Sequence, residues 1–346
     1  MLGSIILFPF RIAVACFWCL WSLGFREYSL PKAPLFWGSN DRFVIYLKKA
    51  TQGLYGVVLH DLEEEHAETI FESSRLVHAF GLRQPDELDL CRYDKGNCHY
   101  TMINLKSRNN YSPAQYDFLG ALFNDHLLPK TLGFISEEIV CADNECFTRF
   151  RITTANGTSS AGPRITGRLT SGPSVSLNED LLAFADREHV YVSNLFTGRQ
   201  VSFPFAETEI CNWSVQNVLL VCSRANRSLY LIDGVSQDAQ RIEVSEAGII
   251  QRGAISPSGA YVAYWILNKD GARLFLVSVS ENKHYELMQR AKILDVRWSQ
   301  HEHYLSVSGV KRRDLFDISY GYKMRNSTVS DKEVIRLDGT TVVDLL

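Results

Sequence analysis

The residues Ala254-Ile255-Ser256-Pro257-Ser258-Gly259-Ala260-Tyr261-Val262-Ala263-Tyr264-Trp265 read as two strands joined by a tight turn. Pro257 presets φ and Gly259 accepts a positive φ, the two demands of such a turn. Tyr261 to Trp265 is an aromatic and β-branched run suited to a pleated surface. Beyond it, Asn268-Lys269-Asp270-Gly271 supplies a second turn, Leu274 to Val279 a third strand and His284 to Met288 a fourth, weaker one. The unit is a four-stranded meander, and it recurs. Ser176, Ser214, Ser256 and Ser299 lie 38, 42 and 43 residues apart, and five residues after them stand Leu181, Leu219, Tyr261 and Tyr304. A period of ~40–45 residues with several short strands per unit is that of a β-propeller blade, which buries its faces only by stacking on its neighbours.

Fainter units precede these. Phe43 to Leu47 follows Trp37-Gly38-Ser39, Leu88-Asp89-Leu90 and Tyr100 to Ile103 fit a second unit, and Ile139-Val140 with Phe147 to Ile152 fit a third. The 317 residues from Leu30 onward, at ~45 per blade, make seven blades. Six is the alternative if Asp117–Phe134 or the tail is an insertion, and an unrelated β-sandwich with chance spacing is the competing fold. Composition favours all-β: aromatics are 12%, there are 22 Gly, and no 15-residue stretch keeps a 3.6-residue period. The Gly/Ser/Thr-rich run Thr153–Gly172 reads as a surface loop between blades.

With Trp213-Ser214 and Trp298-Ser299 at matching places beside the Ser256 turn, residues 172–320 resemble the WD-like repeats of TolB-type and prolyl-oligopeptidase-type propellers. The resemblance implies the fold and hardly any function. It also covers proteases whose propeller gates a hydrolase domain. No residues remain here for such a domain, so peptidase activity is not expected.

Residues 1–25 are nearly all apolar, broken only by Arg11, with Ser22-Leu23-Gly24 placing small residues where a leader is cleaved. They read as a secretory signal peptide or an uncleaved signal anchor, a lipid-modified Cys16 being the third possibility. Each version exports the rest of the chain, residues 30–346. Six of the eight cysteines lie outside this leader, in close pairs: Cys91 with Cys98, Cys141 with Cys146, and Cys211 with Cys222. Each pair flanks an expected hairpin turn, which sets its members opposite each other on adjacent strands. Opposed Cβ atoms sit ~4.5–5.5 Å apart, near a disulfide's ~3.8 Å. Three disulfides are the expectation, with free thiols and a metal knuckle as alternatives. Disulfides imply an oxidising compartment, and a bacterial periplasm accommodates both signals. The sequons at Asn110, Asn156, Asn212, Asn226 and Asn326 would carry glycans only in a eukaryotic secretory pathway.

The net charge of −3, with acids and bases interspersed, leaves no basic stripe for nucleic acid. No nucleophile elbow, phosphate loop or His-Glu-x-x-His motif occurs. His301-Glu302-His303 and Asp61 to His66 read as solvated turns rather than metal sites, and no cofactor is expected. Aligning the serines puts Arg252 and Asp295 at equivalent points of adjacent first strands, with Asn212 level with Arg297 two residues on. First strands line the channel of such a propeller, so these four are the candidate ligand-binding ring. Alternatively, the same groups only satisfy one another. The functional expectation is an exported, non-enzymatic module binding another protein, tied to a membrane through residues 1–25 if these are uncleaved. The alternative is a glycosidase- or lyase-like enzyme with its site at the channel.

Overall fold

The computed structural model describes residues 36–344 except 39–40, 50–53, 75–76, 85–86, 95–96, 108, 112–125, 129–132, 143–144, 154–158, 167–168, 245, 314–326 and 338–340. The leader at 1–25 and the sequons Asn156 and Asn326 therefore lie outside the described residues. Among the described residues there is no α-helix. They form seven four-stranded antiparallel sheets, each made of consecutive strands, at 36–73, 77–111, 126–166, 171–203, 208–243, 249–290 and 292–344. We refer to these as blades one to seven. First strands of successive blades touch: Ser171–Val175 meets Thr208–Trp213, which meets Ile249–Ile255, which meets Lys292–Trp298. These are the inner strands of blades four to seven.

The recurring serine has a physical job. Ser176, Ser214, Ser256 and Ser299 are all buried at 2% exposure or less. Their hydroxyls accept hydrogen bonds from the backbone N–H of Leu181, Val218, Tyr261 and Tyr304 at 3.0–3.1 Å. Each serine thus closes the turn between the first two strands of its blade, using a side chain where the backbone has run out of partners. Ser256→Ala is expected to cost about 1–3 kcal/mol, the range for leaving a buried donor unpaired. A lowered urea midpoint with an unchanged denaturant slope is the expected reading.

The core lies between blades rather than within one. Leu220, Ile255, Tyr264 and Phe275 pack together where blade five meets blade six. Ala183, Trp213 and Tyr230 do so between four and five, and Trp265, Val296 and Trp298 between six and seven. A fully buried side chain of this size contributes roughly 1.5–3 kcal/mol, so each seam is held by many such terms. A repeated latch adds direction. The Trp213 indole N–H donates to the Ser174 carbonyl of the preceding blade at 3.2 Å, and Trp298 does the same to Ala254 at 2.8 Å. Blade six has Ile255 at that place, with no N–H to give. Asn212 fills the role from the other side, accepting from Ile255 N at 2.9 Å and donating to Ile255 O at 3.4 Å.

The ring closes between blades seven and one, whose sheets share no strand among the described residues. Trp37 stacks on Tyr304 with centroids 5.9 Å apart, and Val334 packs against Val44, Tyr46 and Val58. Asp41, 2% exposed, reaches across to accept from Ser299 Oγ at 2.7 Å and His301 N at 3.0 Å.

Three local expectations are corrected. The run Thr153–Gly172 is not simply a loop: Ser159–Thr166 pairs with Glu145–Thr153 as a strand of blade three. Cys91 and Cys98 are not opposite each other. The hairpin pairs through to Asp94 with Asn97, which moves the register by two and sets Cys91 against Tyr100 and Tyr93 against Cys98. Nor are Cys211 and Cys222 opposite: Cys211 is a bulge between paired Ile210 and Asn212, and Cys222 faces Glu209. Cys141 does pair with Cys146.

Candidate functional site

Each inner strand of blades four to seven carries a register shift: between Ser171 and Ser174, Ile210 and Asn212, Ile250 and Arg252, and Ile293 and Asp295. A bulge adds one residue and so swaps the faces of everything beyond it. Beyond it in blades six and seven stand Arg252, Asp295 and Arg297, which line a common recess.

Two contiguous recesses result. One, of about 920 Å³, is lined by residues including Ser171, Glu207, Glu209, Cys211, Arg224 and Arg252. The other, of about 440 Å³, runs toward the serine turns past Cys211, Asn212, Arg252, Asp295 and Arg297, with Leu177, Val215 and Pro257 at its end. Both volumes lie in the range of small-molecule sites. Cys211, Arg252, Ser174 and Val175 border both, so they mark the waist of one channel.

The charges in it are unevenly matched. Glu209 holds Arg224 at 2.9 Å, and Asp295 holds Arg297 on its own strand at 2.8 Å. Arg252 has only a 3.8 Å contact with Glu209, a carboxylate that Arg224 already engages, and its side chain is 46% exposed. A guanidinium carries five donors in a planar fork, so most of those of Arg252 face the channel unspent.

Of the four residues expected to form a ring, Arg252, Asp295 and Arg297 line the second recess together. Asn212 borders it too, but its amide is spent on the Ile255 backbone and meets neither Arg297 nor Asp295. Glu209 and Arg224 were not legible as site residues. Glu209 lines the recess from just before the bulge at Cys211, and Arg224 sits in the turn between the second and third strands of its blade. Nothing in their local sequence marks either event.

The turn His301-Glu302-His303 is less detached than its sequence implies. The imidazoles are half or more exposed, yet their Nδ1 atoms lie 3.4 and 3.5 Å from the Asp41 carboxylate. Glu302 accepts from the Ser258 N–H and hydroxyl of the neighbouring blade. At Asp61, the acidic turn is gathered by Arg42, which pairs with Asp61, Glu63 and Glu64 and holds the Asp61 carboxyl below its ordinary range. Among the described residues no cluster of three or more His, Cys, Asp or Glu could hold a metal ion.

No family model matches the sequence, and no curated protein matches it. Solved structures do. The chain is similar to puromycin hydrolase, with 11% identity and a TM-score of 0.59 over 90% of this chain and 53% of that one. It is similar to an oligogalacturonate lyase solved in complex with manganese, with 10% identity and a TM-score of 0.55 over 80% or so of each (79% of this chain, 84% of that). The Vibrio parahaemolyticus oligogalacturonate lyase gives 8% identity and a TM-score of 0.53 over 80% and 85%. TolB from Acinetobacter baumannii is also among the matches, at 12% identity and a TM-score of 0.45 over 86% and 77%. The chain spans about half the length of puromycin hydrolase. At these identities the likeness is one of fold. The expectation of a non-enzymatic module is nevertheless overturned: proteins named as a hydrolase and a lyase share this fold, so the propeller gives no ground for setting catalysis aside. The repeat read from residues 172–320 holds as a fold, and the chain is a β-propeller.

Proposed function

We propose that the protein is a lyase-like enzyme whose channel takes a carboxylate-bearing saccharide. The observation that carries this is Arg252, a half-exposed guanidinium at the waist of both recesses with no close carboxylate of its own. Such a fork suits a planar carboxylate, which it grips by two parallel hydrogen bonds. When the carbon next to a uronate carboxylate loses its proton, negative charge spreads onto that carboxylate, and a guanidinium placed there stabilises it. Glu209 lines one recess and Asp295 the other, so a proton acceptor stands to either side of the bound group. In the elimination the C–H pair forms the new carbon–carbon double bond, the glycosidic bond breaks, and the departing oxygen takes up a proton. The products are an unsaturated uronide and a new saccharide end, with no water consumed. The lyase names among the fold's relatives support the substrate class at the level of fold only.

Incubation with oligogalacturonate, followed by the ultraviolet absorbance of the unsaturated product, tests this directly. Arg252→Ala is expected to lower the rate about 10²–10³-fold, the effect of losing one preorganised stabiliser, while leaving the melting temperature in place. New reducing ends without unsaturation would instead mean hydrolysis between paired carboxylates. Neither product, together with no uronate binding by calorimetry, would overturn the reading. The proposal also keeps the protein outside the cytoplasm, as the apolar run at 1–25 supports; cell fractionation of the full chain tests that part.

A further inference from the structure

Cys211 and Cys222 occupy an unusual place. The bulge at Cys211 swings its side chain toward the neighbouring strand, where its Sγ lies 2.7 Å from that of Cys222. No bond joins the two sulfurs, and both residues are buried. The two differ in access: Cys211 borders both recesses of the channel, whereas Cys222 borders neither and is 1% exposed. Gly253, on the inner strand of blade six, leaves the room they use. A Cβ there would come within 2.9 Å of Leu220 Cδ2 and 3.4 Å of Cys222 Sγ. The pair is ill suited to a metal, because thiolates at ~2.3 Å from a tetrahedral zinc stand well over 3 Å from each other.

We propose that Cys211 and Cys222 are a redox-active pair, open through the channel to small disulfide oxidants such as oxidised glutathione. The chemistry is thiol–disulfide exchange. The Cys211 thiolate attacks the oxidant's disulfide, forming a mixed disulfide and releasing one thiolate. Cys222 then attacks the Cys211 sulfur, forming the Cys211–Cys222 bond and releasing the second thiolate. The two protons given up by the cysteines end on the two released thiols, and the oxidant is reduced by two electrons. Cys211 acts first because only it meets the channel. Cys222 takes the second step because it borders neither recess and its sulfur already lies beside that of Cys211; burial pushes its thiol up from the ordinary range, which disfavours a direct attack on the oxidant. The bond would pin the bulge that sets Glu209, two residues before Cys211, against Arg224 and Arg252.

The test starts from the folded protein reduced with dithiothreitol and freed of it, then exposed to oxidised glutathione, quenched in acid, unfolded, alkylated and mapped by peptide mass. The wild type should give a linked Cys211–Cys222 peptide that dithiothreitol abolishes. Cys222→Ser should trap glutathione on Cys211, and Cys211→Ser should leave Cys222 alkylated and unlinked. Circular dichroism identifies any variant that has not folded, and the wild-type result stands without the variants. Recovery of both wild-type cysteines as alkylated thiols after exposure would overturn the proposal. So would glutathione on Cys222 rather than Cys211. Neither readout depends on a saccharide binding the channel.

Discussion

Replacing Asp41 by alanine is expected to destabilise the protein by about 3–5 kcal/mol, and to do so at the closure of the ring. Hydrogen bonds to a charged group contribute about 1.5–3 kcal/mol each, and Asp41 accepts from both Ser299 Oγ and His301 N while 2% exposed. Backbone ladders hold each blade, but this seam, like every other between blades, joins separate sheets among the described residues. The seam between them therefore rests on side chains, and Asp41 supplies its polar part. Its residue type is also suited to its backbone: φ is 56°, a region that Asp and Asn tolerate better than alanine. Asp41→Asn keeps that conformation and one acceptor oxygen, so a loss of about 1–2 kcal/mol is expected for it. Urea unfolding gives the magnitudes, and limited proteolysis the place: Asp41→Ala should expose cleavage sites in blades one and seven first. Equal losses in the alanine and asparagine variants would show that the carboxylate does not hold the seam.

Trp298→Ala should match that effect by a different route, at about 3–5 kcal/mol. The side chain fills the space between blades six and seven with Ala254, Trp265, Val296 and Leu305, and alanine would leave a cavity there that β-strands cannot collapse to fill. Trp298→Phe separates packing from the latch. It retains most of the volume but removes the donor to Ala254 O, so about 1 kcal/mol is expected. Trp213→Phe should cost less than Trp298→Phe, because its bond to Ser174 O is longer, 3.2 against 2.8 Å. Chemical denaturation of the four variants, Trp213→Ala included, settles the ranking; no loss in Trp298→Phe would mean the indole N–H adds nothing measurable, and equal losses for both phenylalanine variants that bond length does not set the latch's contribution.

The strands were legible because their signals are local. Tyr261 to Trp265 and Leu274 to Val279 carry the right side chains for a pleat, and the residues between them turn the chain whatever surrounds it. The serine repeat was equally readable, since one hydroxyl serves a hairpin only five residues long. The strand at Ser159–Thr166 was missed for the opposite reason. Its glycine and hydroxyl residues look like a loop, and its pairing with Glu145–Thr153 overrides that preference. The sulfur pairs show the same divide. Cys141 and Cys146 are register partners, as their spacing suggests, while Cys91 and Cys98 are not, because that hairpin closes in another register.

By itself, the order of residues determined a ring of short meanders repeating on Ser176, Ser214, Ser256 and Ser299, with Trp213 and Trp298 at matching places. Tertiary structure alone decided what faces the channel. A single bulged residue reverses the orientation of all that follow it in a strand, and its position depends on how two strands and the next blade pack together. Glu209, Arg224 and the meeting of Cys211 with Cys222 all follow from that packing, and so does the guanidinium of Arg252 standing without a close partner.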